Sequence, residues 1–524
     1  MKAIDQRKIL LELAFIVATP VLCIITWPRG KYFIKTLDSI FGFDHYVKFY
    51  YARYLWDDSI SFGIAFPRQN TILLHMFIDM IFKTFGLYLG QKIVFYILIA
   101  SSILSFWLFL VMISREVNPI ASFARIVASL FYTFNLFSIS SFWWHHMLLI
   151  VYWIAFPILF LSLYRLVITE EVRIYDYLAI PFIFTLFAPT MNLLLISIFL
   201  VALTIYVSTC ILMKVNPFKV VARRLVVVFV LILLINVWFL LPQLITLKEM
   251  LTVARYGAAN PEVSIRAFEY ASQYTTLLNV LGLRGNKLIF VKHVTDYYYH
   301  WAPIFISNIY MILLTYLFPI IAISSLCFLK KLKLHEKRLL LALTVMIMIS
   351  VFFQKQGAEP FGNVNRMLLD LPFGDAFRNA YDKFAILTVF SYSTMIYFGL
   401  REISLSIASK RKKFLPIFMA IIVICYYVYT YPVWTGDVIY DGGKYVPGHR
   451  VIVPEEYYQF GVFMDKLNAN KTFVRIAVLP TTWWGEAAYK WSPKGIQPNS
   501  DPLLQYFLTP KYSIIQFRRA NEYG

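Results

Sequence analysis

The sequence predicts an all-α polytopic membrane protein of about eleven transmembrane helices, and composition, run length and charge placement each point there. Of 524 residues, 60% are hydrophobic and only 15% charged, with a mean hydropathy of +0.65. Soluble domains carry roughly 25% charged residues, so an ordinary soluble enzyme is excluded. The 49 Lys+Arg against 29 Asp+Glu leave +20. In a membrane chain that excess marks cytoplasmic loops or anionic lipid rather than nucleic acid. Cys23, Cys210, Cys327 and Cys425 fall in apolar runs, so they read as small core or lipid-facing residues and not as a disulfide or zinc framework.

The first run, 9–27, follows Lys2, Arg7 and Lys8, and Pro28-Arg29-Gly30-Lys31 after it lacks a small-residue cleavage site. An uncleaved span with a cytoplasmic N-terminus is expected. Further runs lie at 92–114, 121–142, 147–167, 177–190, 191–213, 224–246, 304–329, 339–354, 385–403 and 413–434, most near the roughly 17–25 residues that cross a bilayer. The division around Pro189 is the weakest, since 180–213 also reads as one span plus a re-entrant piece. The densest basic clusters, Lys330 to Arg338, Lys410 to Lys413 and Lys214 to Arg224, all fall inside with eleven spans.

That count requires 71–89 not to cross. His75, Asp79 and Lys83 repeat at i, i+4, i+8, with Leu73, Phe77, Met80 and Ile81 opposite, which predicts an amphipathic interfacial helix in the first outer loop. The long loops 28–91, 247–303 and 355–384 are then outside, as is a C-terminal tail, 435–524, set apart from the 1–434 membrane domain. The helical pattern of Glu455 to Leu467 and the alternation of Thr472 to Leu479 predict a small α/β or β extracytoplasmic segment. No closing element is recognisable before Gly524, so the chain reads as a piece of a longer protein.

No Walker loop, GxGxxG or HExxH occurs, which leaves nucleotide-driven pumping and zinc hydrolysis without support. Chemistry is therefore expected on the outer loops. One stretch runs Thr36-Leu37-Asp38-Ser39 through Asp44, then Leu55-Trp56-Asp57 and Phe62-Gly63; another runs Lys355-Gln356-Gly357-Ala358-Glu359-Pro360-Phe361-Gly362 to Phe377-Arg378 and Lys383-Phe384. An acidic group just outside a span can act as general base on a hydroxyl or hold a divalent cation against a phosphate. Arg and Lys beside it can neutralise that phosphate.

In order and spacing these stretches, with Phe85-Gly86-Leu87 and Gln91-Lys92 between them, resemble the GT-C superfamily of integral-membrane glycosyltransferases. They are most similar to the mycobacterial-type α-(1→3)-arabinofuranosyltransferases, over roughly residues 1–480. The chain has Asn379-Ala380 where that family shows an acidic residue and a proline, a difference that bears on the sugar more than on the fold. The resemblance implies a GT-C-like membrane domain, a polyprenyl-phosphate sugar donor and a glycan acceptor on the outer face of the cell membrane. It also implies a first-loop aspartate as base, which falls on Asp38, with Asp44 the rival. Inversion at the anomeric carbon would follow.

Arg378 and Lys383, with Arg366 as a lesser candidate, are the expected contacts of the lipid phosphate; snorkelling from the tenth span is the competing explanation. His145 and His146 in a short outer turn, and Arg255, Tyr298 and His300 in the second long loop, are candidate acceptor contacts, although an interfacial aromatic belt is the preferred explanation of Trp143-Trp144 and of Asp296 to Trp301. No ligand set identifies a metal; Mg or Mn is left open as a cofactor. The competing functions are a transporter or flippase, which would need charges along an intramembrane pathway, and a non-catalytic membrane protein of cell-envelope assembly.

Overall fold

The computed structural model describes residues 6–34, 71–114, 116, 118–143, 147–169, 171–187, 193–213, 217–245, 261–293, 296–370, 374–442, 448–452 and 454–470, with short strands at 56–57, 64–65, 474–477, 487–489, 497–499 and 512–515. Helix occupies every apolar run: α1 Gln6–Thr26, α2 Ile72–Ser114, α3 Pro119–Thr133 with α4 Leu136–Ser141, α5 Met147–Ile168, α6 Ile174–Phe187, α7 Leu193–Leu212, α8 Phe218–Ile235 with α9 Val237–Ile245, α10 Pro261–Ser272, α11 Leu277–Leu281, α12 Ala302–Ser307 with α13 Ile309–Ser324, α14 Leu334–Gln354, α15 Ala380–Arg411 and α16 Leu415–Tyr429. Among the described residues, six helical stretches are long and apolar enough to cross a membrane, or seven if α8 and α9 form one span. The chain is an all-α, multi-pass membrane protein whose strands pair only in twos.

Among the described residues, asparagines interrupt three expected spans, at Asn135, at Asn236 and, between α12 and α13, at Asn308. Asn135 ends the run of α3 and starts α4 with a capping box, accepting from the Ser138 amide at 3.1 Å while Ser138 Oγ accepts from the Asn135 amide at 3.0 Å; such caps contribute about 1 kcal/mol. Asn236 separates α8 from α9 by a 77° bend, so the expected straight seventh span is broken. Its amide group donates to the Ile232 and Pro181 carbonyls and accepts from Thr185 Oγ1 at 2.8 Å, which satisfies polar groups that a bend would otherwise expose.

The 71–89 segment is helical, but its faces differ from the expectation. Ile78, Ile81 and His75 are buried, whereas Met76, Phe77, Met80 and Phe85 are exposed. Amphipathic reasoning set polar against apolar, yet both the protein interior and the surrounding lipid are apolar, so two hydrophobic faces form. Asp79 covers its charge with Lys83 at 2.7 Å. Gly86, at φ 74° and ψ 170°, breaks α2 between this segment and the long apolar helix that follows, a conformation that a side chain would oppose.

The bundle is built around α15, which is buried continuously from Phe384 to Glu402 and packs on α3, α13 and α14. Phe390 lies in a cage formed by Phe106, Phe109, Phe156 and Phe160, with ring centroids 4.9–5.8 Å away. Since lipid is as apolar as these side chains, close packing and aromatic geometry, at about 0.5–1.5 kcal/mol per pair, hold the helices together.

Contacts between helix ends fall into two groups. At one end, Arg125 of α3 grips Glu12 of α1 through two bonds of 3.0 and 2.6 Å, and Trp107 of α2 donates to the same carboxylate. Arg401 of α15 there pairs with Glu336 of α14 at 2.8 Å, with Glu402 at 3.0 Å and with Glu116 at 3.3 Å. At the other end, Trp27 after α1 donates to the Val433 carbonyl, and Tyr429 of α16 accepts from the Leu136 amide at the start of α4. Helices α1, α3, α14 and α16 thus run antiparallel to α2 and α15.

Candidate functional site

The second group of ends carries the polar loops. The first long loop is anchored there by a reciprocal pair between the Ile34 backbone and the Gln91 side chain at 2.9 and 2.8 Å. Phe33–Ile34 also pairs antiparallel with Arg450–Val451 of the tail. Arg450, buried, donates to the Trp27 and Gly436 carbonyls and pairs with Asp441. Residues up to 451 are therefore built into the membrane domain, closer than a separate tail beginning at 435 would suggest.

Beside this anchor, the second loop is seated on the turn after α4. Asn286 Nδ2 donates to the Ser140 carbonyl and to Ser141 Oγ at 2.8 Å, and Ser141 Oγ in turn donates to Asp382 Oδ1 at 2.9 Å. Tyr299 donates to the same Ser140 carbonyl. The third loop joins through Gln356, whose amide donates to the Arg378 carbonyl at 2.7 Å, and through Gly357, whose amide donates to Ser272 Oγ at 2.8 Å. Lys355, one residue past α14, is buried; desolvation depresses its pKa, and its ammonium donates to the Pro360 carbonyl.

Arg378 and Lys383 are half-buried around the start of α15, where the Arg378 carbonyl accepts from the Gln356 side chain. Arg366 is half-exposed and pairs with Glu269 at 2.6 Å, so its charge is already answered by a carboxylate. His300 is exposed, stacks on Tyr440 at 4.8 Å and lies 3.3 Å from Asp437, whose pKa is depressed by that histidine hydrogen bond. Burial pushes the Tyr298 hydroxyl up to about 12. Asp38, Asp44, His145, His146 and Arg255 lie outside the described residues. Two belt assignments need correction: Trp143 is buried against Trp27 and Phe134 with its indole donating to the Thr133 carbonyl, and Tyr299 stacks on buried Trp301 at 4.8 Å. Protein neighbours, not headgroups, surround these rings.

Sequence reasoning passed over Arg284 and Asn286, and gave no role to Lys355 and Asp382 although both lie in the stretches where chemistry was expected. The only local signal was Gly282-Leu283-Arg284-Gly285-Asn286, an arginine held in a glycine-rich turn. Among the described residues no three His, Cys, Asp or Glu side chains come together to hold a metal. The arrangement can present backbone-anchored loops and several cations to an anionic group at one end of the bundle, beside an apolar helix.

These features define a polytopic, all-α membrane fold with its polar loops gathered at one end of the bundle. The chain is similar to the cryo-EM structure of the arabinofuranosyltransferase AftD from Mycobacteria, with a TM-score of 0.60 at 13% identity over 96% of this chain and 31% of that one. A substituted form of AftD gives 0.55 at 12% identity, over 96% and 33%. The chain spans about a third of the length of the structures it matches. No family model matches the sequence, and no curated protein does.

Proposed function

We propose that the chain is a membrane glycosyltransferase that transfers a sugar from a polyprenyl-phosphate donor to a glycan acceptor on the outer face of the cell membrane. The observation that carries this reading is the likeness of 96% of the chain to AftD, an arabinofuranosyltransferase, together with polar loops gathered at one end of the bundle. In the eleven-span reading that end is outside, the N-terminus is cytoplasmic, and the buried pairs Glu12–Arg125 and Glu336–Arg401 lie at the inner ends. Those charges are paired with each other, which favours the enzyme over a transporter with charges along its pathway.

In the reaction, Asp38, or Asp44 in its place, takes the proton of an acceptor hydroxyl. The acceptor oxygen bonds to the anomeric carbon as the bond from that carbon to the phosphate oxygen breaks, and polyprenyl phosphate leaves with inverted configuration at the sugar. Arg378 and Lys383 neutralise the leaving phosphate, and Arg366, the lesser candidate, would have to leave Glu269 to join them. His145, His146, Arg255, Tyr298 and His300 line the acceptor side. A Mg or Mn ion, if used, is held by the first-loop carboxylates and assists the same departure.

In correctly inserted protein, Asp38→Asn should lower transfer from a polyprenyl-phosphate sugar about 10²–10⁴-fold, measured with radiolabelled donor in proteoliposomes. Wild-type rates in both Asp38→Asn and Asp44→Asn would falsify the assignment of the base.

A further inference from the structure

Arg284 is 7% exposed, and its Nε and Nη1 have no hydrogen-bond partner among the described residues. Its guanidinium lies over the Phe290 ring, 6.0 Å from the centroid, and the groups that bear on its charge are the Tyr316 and Tyr381 hydroxyls, not a carboxylate. Desolvation depresses its pKa, yet guanidinium does not deprotonate in proteins. A buried cation without a counter-charge is costly, so its partner is expected to be a ligand.

The turn holding it is fixed on both sides. Thr276 caps α11 by accepting from the Asn279 amide, and the Arg284 amide donates to the Asn279 carbonyl at 2.7 Å. Leu283 before it adopts φ 57°, a left-handed conformation that a leucine holds only when its surroundings impose it. After it, Gly285 lies against the Tyr381 ring, and Asn286 is tied to Ser140 and Ser141. Nearby lysines are answered by rings: Lys287 by Tyr270 and Lys292 by Tyr297. The carboxylate of this network, Asp382, accepts from Ser141 Oγ, and a phosphate can answer the planar guanidinium with two oxygens at once.

We propose that Arg284 seats a phosphate group at the outer end of the bundle, its Nε and Nη1 donating to two phosphate oxygens. The proposal deepens the glycosyl-transfer reading and rests on it only for the source of the phosphate, lipid headgroup or free ion.

The test uses the full chain in phosphatidylcholine nanodiscs, titrated separately with inorganic phosphate and with undecaprenyl phosphate, with thermal unfolding as readout. Wild type should be stabilised by at least one of the two. Arg284→Met, which removes a buried charge and keeps an apolar side chain of similar length, should unfold no lower than wild type without ligand and should bind at least tenfold more weakly. Arg284→Lys should fall between them. The proposal is overturned if neither probe shifts wild type, if Arg284→Met and Arg284→Lys both bind as tightly as wild type, or if Arg284→Met and Arg284→Lys both unfold lower without ligand while keeping affinity. A shift with undecaprenyl phosphate alone identifies a lipid headgroup, and one with both probes a general phosphate seat. Phosphate binding lost in Arg284→Met, in a protein that transfers no sugar, would uphold this seat and refute the glycosyl-transfer reading.

Discussion

The two ends of the bundle treat buried arginine in opposite ways. At one end, Arg125 and Arg401 are each closed by carboxylates from neighbouring helices. At the other, among the described residues, Arg284 meets aromatic groups and no carboxylate, and Lys355 donates to a carbonyl with Glu359 nearby. A closed pair locks helices together and has nothing left to offer. An open cation is held at a cost in stability and is available to something else. The difference separates scaffold from site without reference to sequence position.

The largest effect should come from opening a closed pair. Glu336→Gln leaves Arg401 without its shortest ionic contact and should cost about 3–5 kcal/mol, read as a lowered unfolding midpoint in detergent, whereas Arg284→Met should cost nothing. Equal losses would erase the contrast between the ends. A smaller effect is expected from crowding the open end. A Cβ on Gly285 would sit 2.4 Å from Tyr381 Cε2, so Gly285→Ala should destabilise by about 1–3 kcal/mol, and its midpoint should stay above that of Glu336→Gln.

The smallest concerns the rim. Because His300 holds the Asp437 pKa below its ordinary value, that contact contributes fully above the unfolded carboxylate pKa of about 3.9 and fades as pH falls through the lower folded value. With both groups a third or more exposed, Asp437→Asn should cost only about 0.2–1 kcal/mol near neutral pH and nothing in strong acid. A constant difference across an acid titration of the two proteins would refute the ionic account.

Much of the scaffold was legible because it is written locally. A run such as 385–403 is apolar in any context, and the Lys410–Lys413 cluster shows its side by composition alone. The placement of Arg378 and Lys383 at the opposite end of α15 from that cluster followed from the same run. What was not legible depends on partners far along the chain. Nothing near Asn236 announces a 77° bend, since the groups that permit it are Pro181 and Thr185. Met80 and Ile81 are adjacent and similar in hydropathy, yet one faces out and the other in. Arg284 looks like any loop arginine until the carboxylates that should meet it are sought and not found. A sequence lists charges; only the packed chain reveals which of them balance.

The clasp between Trp27 and the segment around Arg450 has a temporal meaning. Their bond joins positions 423 residues apart, and the strand that completes Phe33–Ile34 belongs to the same late segment. A chain made from its N-terminus displays its first long loop almost from the start of synthesis, but the partner for that loop emerges only after α16. Until then, a ribosome-bound intermediate already threaded through the bilayer has its scaffold without its finished outer surface.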